Sequence, residues 1–231
     1  MHMSLCSRLD KTAIKEFCAL AIGLCYPMGA VVFEQEDELD RLFIITKGMV
    51  RLSHLTRDGR RQIIGFLGPG DLLGGIKRSI GAFCSAEAMT DVETCAFDRK
   101  TFGKFLQRHA DFCFNLWVVA NDEIEAQYDH SVLLARKTAS ERIAAFLMML
   151  SERWGDPDED SSVLHIPMPR SDIADHLGLT IETVSRILTQ FKNLGYIEFR
   201  GPKTVVLTNA AALTYLAGLE DHPKPRLAIG L

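Results

Sequence analysis

The segment Pro169 to Gln190, PRSDIADHLGLTIETVSRILTQ, constrains this chain more than any other. It predicts two short helices joined by a tight turn. Asp172 supplies an acid to the first turn of the first helix, Ile173, Ala174 and Leu177 are its apolar residues, and Gly178 stands where a left-handed residue ends a helix. Thr180 is a good N-cap for the second helix, Glu182 suits its positive end, and Val184, Ile187, Leu188 and Phe191 give it an apolar face. Glu182, Ser185 and Arg186 fall on the opposite face. An Arg one turn after an acid, early in the second helix of such a pair, suits base edges in a major groove. Arg186 would take guanine O6 and N7, Glu182 would accept from cytosine N4, and Ser185 would touch a neighbouring thymine. The plainer alternative is a Glu182–Arg186 salt bridge on a solvated helix, worth about 0.2–0.5 kcal/mol.

Residues 196–207, YIEFRGPKTVVL, predict two short strands around a Gly-Pro turn with Arg200 and Lys203 at the tip. A hairpin after a helix pair is the winged form, and its tip is placed for phosphates. The stretch GLTIETVSR resembles the recognition segment of the CRP/FNR superfamily of bacterial transcription regulators. Its E-x-x-S-R pattern is similar to the FNR/FixK branch; the cyclic-AMP receptor branch has R-E-x-x-x-R, and position 181 here is Ile. The resemblance implies a TTGAT-like half-site, with Arg170, Thr180, Thr183, Arg200 and Lys203 as backbone contacts.

The net charge of −4 argues against nucleic acid until it is resolved locally. From 170 to 203, Arg170, Arg186, Lys192, Arg200 and Lys203 oppose Asp172, Asp175, Glu182 and Glu198, leaving +1. Non-specific binding is therefore expected to be modest, with a larger share of affinity from base contacts. No apolar run reaches the roughly 20 residues a membrane span needs, and no secretory signal is visible, so a cytoplasmic protein without membrane partners is expected.

Ahead of the helix pair, a short amphipathic helix is expected over 10–22, with Ile14, Phe17, Cys18, Leu20 and Ala21 inward. Short β-rich runs follow at 30–33, 42–45, 49–52, 61–67 and 93–97, with a hairpin turn at Asp58-Gly59. This predicts a small antiparallel roll, and PMGAVVFEQEDELDRLFIITKGMVRL resembles the N-terminal β-roll of the same superfamily. A cupin enzyme would need clustered His and carboxylate ligands, commonly an H-x-H pair; the seven His form none and His54 is alone in the roll. The superfamily's cyclic-nucleotide pocket has an acid after a G-D/E-x-x-G turn and a later Arg-Ser or Arg-Thr pair. Here Gly75 stands at the acid position and Phe83, Cys84, Ser85 and Ala86 occupy the later stretch. Neither an enzyme nor a nucleotide sensor is expected.

A long helix is predicted over 111–135. Trp117, Ile124 and Ser131 recur every seven residues, as do Cys113, Ala120, Gln127 and Leu134, and neither series contains an acid. This favours a seam against a symmetry mate, with Trp117, Ala120, Ile124, Gln127, Ser131 and Leu134 at a homodimer interface. In the superfamily this helix forms the dimer, and the two reading helices lie one DNA turn apart, roughly 34 to 36 Å. Another helix is expected over 138–154, a polar loop over 156–162, a last helix over 210–219 and a loose tail from 221. The expected fold is α+β: an N-terminal helix and antiparallel, cyclic-nucleotide-binding-like β-roll (1–110), a dimerisation helix (111–136) and a C-terminal winged helix-turn-helix (137–231).

Six cysteines stand at 6, 18, 25, 84, 95 and 113. An FNR-type iron-sulfur cluster needs a tight N-terminal C-x2-C-x5-C group plus one Cys from the roll. Cys95 in VETCAFD matches that last position by resemblance and Cys6 could be the final member of the group, but the group itself is not visible. Met1-His2-Met3 has the look of an expression remnant, and further upstream cysteines are left open. Cys18, Cys25 and Cys113 are expected as small core residues, and no cofactor is expected. A FixK-like activator that works through RNA polymerase, in a circuit tied to low oxygen or nitrogen oxides, is what the resemblance implies. Two alternatives stay open: a redox sensor of the same family using a cluster or thiol, and a small-molecule receptor whose helix-turn-helix makes protein contacts.

Overall fold

The structure, a computed structural model, describes residues 11–74, 81–155 and 162–219. In chain order the elements are α1 (Lys11–Leu20), β1 (Ala21–Tyr26), β2 (Val31–Phe33), β3 (Arg41–Lys47), β4 (Val50–Leu55), β5 (Arg61–Leu67), β6 (Leu72–Leu73), β7 (Ser85–Ala88) and β8 (Val92–Asp98). Then come α2 (Arg99–Arg108), α3 (Ala110–Arg136), α4 (Ala139–Trp154), β9 (Val163–His165), α5 (Arg170–Leu177), α6 (Ile181–Asn193), β10 (Ile197–Phe199), β11 (Thr204–Leu207) and α7 (Ala210–Ala217). The chain forms two compact units. One runs to Ser131 and includes Pro167–Gly178; the other is Val132–Ile166 together with the chain from Leu179. The sequence placed residues 167–178 with the C-terminal part.

In the first unit two four-stranded antiparallel sheets, ordered β1-β8-β3-β6 and β2-β7-β4-β5, make the expected roll. Strand alternation turns Phe43, Ile45, Val50, Ala86, Ala88 and Ala96 into its core, and Ala82 and Cys84 pack against them. The β4–β5 hairpin closes at Asp58-Gly59, with Gly59 at φ +82° where a side chain would be strained. A second core is aromatic. Phe17 of α1 stacks on Phe97 of β8 with centroids 4.5 Å apart, and the rings of Phe102, Phe105 and Phe112 surround it at 5.1 to 6.1 Å. This cluster seats the start of α3.

Helix α3 is 27 residues long, about 40 Å at 1.5 Å per residue. Its buried residues, Phe112 and Leu116, lie in its first two turns, and farther along His130 stacks on His176 of α5. No described helix is long and apolar enough to cross a membrane.

Helix α5 also belongs to this unit. Its His176 is buried, with Nδ1 3.3 Å from the Ile63 carbonyl, the Phe66 ring edge-on at 5.2 Å and the His130 ring stacked at 4.3 Å. Burial, and secondarily the neighbouring His130, pushes His176 down to about 4. An unfolded His titrates near 6.5, so the folded state holds its full advantage above pH 6.5 and loses roughly 3 kcal/mol as pH falls toward 4. Urea unfolding between pH 7.5 and 4.5 checks this: His176→Phe should flatten the loss of stability, and an unaltered profile would refute the assignment.

In the second unit, α4 starts with a capping box. Thr138 Oγ1 accepts from the Glu141 N–H, and the Thr138 N–H donates to Glu141 Oε2 at 2.6 Å. Ile143, Ala144, Phe146, Leu147 and Leu150 of α4 are buried, with α6 and α7 packed on the helix. The wing is a three-stranded sheet ordered β10-β11-β9. Strand β9 was not expected; its three residues carry too little pattern to be seen without the partner β11.

Candidate nucleic-acid interface

Helix α5 ends on Gly178 in the left-handed conformation, φ 61°, and α6 opens on Thr180, whose hydroxyl accepts from the Thr183 N–H at 3.2 Å. The turn chemistry expected at Gly178 and Thr180 is present. Val184, Ile187, Leu188 and Phe191 are buried, which fixes the rotation of α6 and leaves Glu182, Ser185 and Arg186 exposed on its outer side.

The plain alternative of a Glu182–Arg186 salt bridge is not what the side chains adopt. Among the described residues neither enters an ion pair. The Glu182 carboxyl is held below its usual range by its own backbone N–H and by the Thr180 hydroxyl, so it is an acceptor at neutral pH. Arg186 stands at the edge of an open groove of about 530 Å³ shared with Ser185, Thr189, Gln190, Asn193 and Leu194. Thr189, Gln190 and Asn193 were missed from the sequence, though they continue the i, i+4 rows that start at Ser185 and Arg186. Thr189 is partly committed, its hydroxyl donating to the Ser185 carbonyl at 2.9 Å.

Arg200, Gly201, Pro202 and Lys203 form the exposed tip of the wing, with Gly201 at φ +91°. The tip is pinned from below, because the Lys203 carbonyl accepts from the Ile166 N–H at 2.7 Å and the Arg200 N–H donates to Thr204. Arg200 lies 3.6 Å from Glu198, an exposed pair of little energetic weight. Lys203 is exposed. Thr180 is exposed and Thr183 half-buried. Arg170 differs from the rest: it lies in the other compact unit, half-buried, and burial lowers its pKa.

Along α3, Trp117 is 64% exposed, and Ala120, Ile124, Gln127 and Ser131 are exposed too; Leu134 is half-buried. Phe114, Tyr128 and Val132 add to this apolar surface. A surface with Trp, Phe, Ile, Tyr and Val facing water is the kind that marks an association site.

The cysteine expectations need correction. Cys18, Cys25 and Cys113 are exposed, not core residues. Cys18 follows buried Phe17 around α1, Cys25 points outward from the edge strand β1, and Cys113 follows buried Phe112 on α3; in each case the inward position belongs to a neighbour. Cys95 is half-buried on β8, and burial together with the nearby Cys18 thiol raises its pKa. Cys6 lies outside the described residues. Among the described residues no group of three His, Cys, Asp or Glu is arranged to hold a metal ion.

The chain matches the cyclic nucleotide-binding domain family over residues 24–109 and the Crp-like helix-turn-helix domain family over residues 141–216. It is 39% identical over 194 residues to the nitrogen fixation regulation protein FixK of Bradyrhizobium diazoefficiens, covering 84% of this chain and 81% of that protein. It is 32% identical over 221 residues to the transcriptional activator protein FnrL of Cereibacter sphaeroides, covering 94% and 89%. The structure of FixK2 from Bradyrhizobium japonicum superposes with a TM-score of 0.78 at 33% identity, covering 85% of this chain and 96% of that one. The chain belongs to the CRP/FNR superfamily and is a DNA-binding transcription regulator of the FixK and FNR type, not an enzyme.

Proposed function

We propose that the protein is a homodimeric activator that reads a TTGAT-N4-ATCAA-like palindrome, one half-site per α6. The observation that carries this is the exposed, unpaired Arg186 beside Glu182 and Ser185 on a helix whose other face is locked by four buried apolar residues. Arg186 takes the guanine, Glu182 accepts from cytosine N4 and Ser185 touches a thymine. Thr180, Thr183, Arg200 and Lys203 hold phosphates; Arg170 is a weaker candidate because it is partly withdrawn from water. The exposed face of α3 supplies the dimer.

It acts in the cytoplasm through RNA polymerase, in a circuit tied to low oxygen or nitrogen oxides; relatives named as activators support the activating role, and others are named for nitrogen fixation and for fumarate and nitrate reduction. We assign it no cofactor. Where the family's nucleotide pocket carries its basic pair, Phe83 lies exposed and stacked on His54, while Cys84 packs inward.

Fluorescence anisotropy at fixed salt tests the assignment. Arg186→Ala should lose about 1 to 3 kcal/mol on the palindrome and much less on random duplex; equal losses on both would remove Arg186 from base recognition. Lys203→Ala should weaken all sequences alike and lower the slope of log K against log salt by about one. A sequence-selective loss for Lys203→Ala would mean that it touches bases.

A further inference from the structure

Past Arg186, the outer side of α6 carries two neutral amides that the reading of bases leaves unused. Gln190 and Asn193 are exposed and line the open groove that begins at Ser185 and Arg186. Among the described residues, neither side chain enters a hydrogen bond or an ion pair. Thr189 borders the same groove but has no proton to offer, because its hydroxyl donates to the Ser185 carbonyl at 2.9 Å.

Position along the helix decides what these amides meet. Asn193 stands two turns after Arg186 on the same stripe of α6, about 10 Å along the axis at 1.5 Å per residue. A major groove is roughly 12 Å wide, and a recognition helix sets its N-terminal residues against the base edges. With Arg186 over a base, the last turn of α6 therefore falls at the groove wall, where phosphate oxygens accept hydrogen bonds and an amide N–H can donate them. The negative end of a helix is a poor place for an anion unless its carbonyls are taken. Here they are taken: the Gln190, Phe191 and Lys192 carbonyls accept from the Leu194, Tyr196 and Gly195 N–H groups at 2.9 to 3.0 Å, and exposed Lys192 adds a cation to the same turn.

We propose that Gln190 and Asn193 form a phosphate-binding site: their side-chain amides donate to the DNA backbone at the edge of the groove that Arg186 reads. Being uncharged, they hold a phosphate without the counterion release that a lysine brings. Residues 170–203 carry a net charge of only +1, so neutral donors supply a share of backbone binding that salt does not erase. The inference rests on α6 entering the major groove as proposed above, and the test tells the two apart.

Anisotropy with the full chain is measured on the palindrome and on a random duplex over a series of salt concentrations. Gln190→Ala/Asn193→Ala should weaken both duplexes alike, by about tenfold, with the slope of log K against log salt unchanged. Asn193→Lys should tighten both and steepen that slope by about one, because it brings a cation to the same phosphate. Both positions are exposed and their side chains bond to no described residue, and alanine and lysine favour a helix, so folding is spared. A loss below about twofold, a loss confined to the palindrome, or a slope that Asn193→Lys leaves unchanged overturns the phosphate site. If the unsubstituted protein binds the palindrome no better than random duplex, it is the base reading that fails, and the response on random duplex still decides the phosphate site.

Discussion

Trp117→Glu combined with Ile124→Glu should convert the protein to a monomer and weaken binding to the palindrome by about 10²- to 10⁴-fold, while single half-site binding stays near its original value. The two residues stand seven apart on the exposed face of α3, one of them 64% exposed in the single chain. A seam that buried them would have to desolvate two carboxylates in each copy, at a cost of several kcal/mol per ion. In the single chain the same substitutions put charge where water already is, so folding should be spared. Sedimentation equilibrium and anisotropy read the two effects separately. A variant that sediments as a dimer would move the interface away from α3.

Phe17→Ala should destabilise the first unit by about 3 to 5 kcal/mol, the range for deleting a buried ring. Four aromatic rings lie within 6.1 Å of Phe17, and they belong to β8, α2 and α3. Collapse around the missing ring would have to move three elements at once, which places the cost toward the upper end. The effect reaches function through Phe112, which anchors α3. Denaturant unfolding should show a lower midpoint with little change in slope. A loss below about 1 kcal/mol would show that the cluster repacks freely and does not hold α3.

What could be read from the sequence was what has a local cause. The α5–α6 pair was legible because a left-handed Gly, a Thr cap and a 3.6-residue apolar rhythm all lie within 22 residues. The Asp58-Gly59 hairpin and the long helix α3 carried their own signals too. Strand β1 was not legible: AIGLCY continues the apolar run of α1, and only its pairing with β8 makes it a strand. β7, with the sequence SAEA, has no β propensity of its own and is strand because β2 and β4 flank it.

In the candidate site, the exposed triplet on α6 was visible from rotation around a helix. Outside that site, the ion pairs of Asp172 on α5 were not. In sequence Asp172 is an ordinary first-turn acid, and its partners Arg51 and Arg61 lie 121 and 111 residues away. Small residues mislead in a similar way, since Cys18, Cys25 and Cys113 each sit beside a position that faces inward without facing inward themselves.

The claim on which the rest depends is that the outer side of α6 recognises bases. A double-mutant cycle at fixed salt tests it most directly, with the unsubstituted protein and Arg186→Ala each measured on the TTGAT palindrome and on the same site with its guanines changed to adenine. The account predicts that Arg186→Ala no longer distinguishes the two sites, a coupling of about 1 to 3 kcal/mol per half-site. Losses that simply add, with no coupling between Arg186 and the guanine, would contradict it.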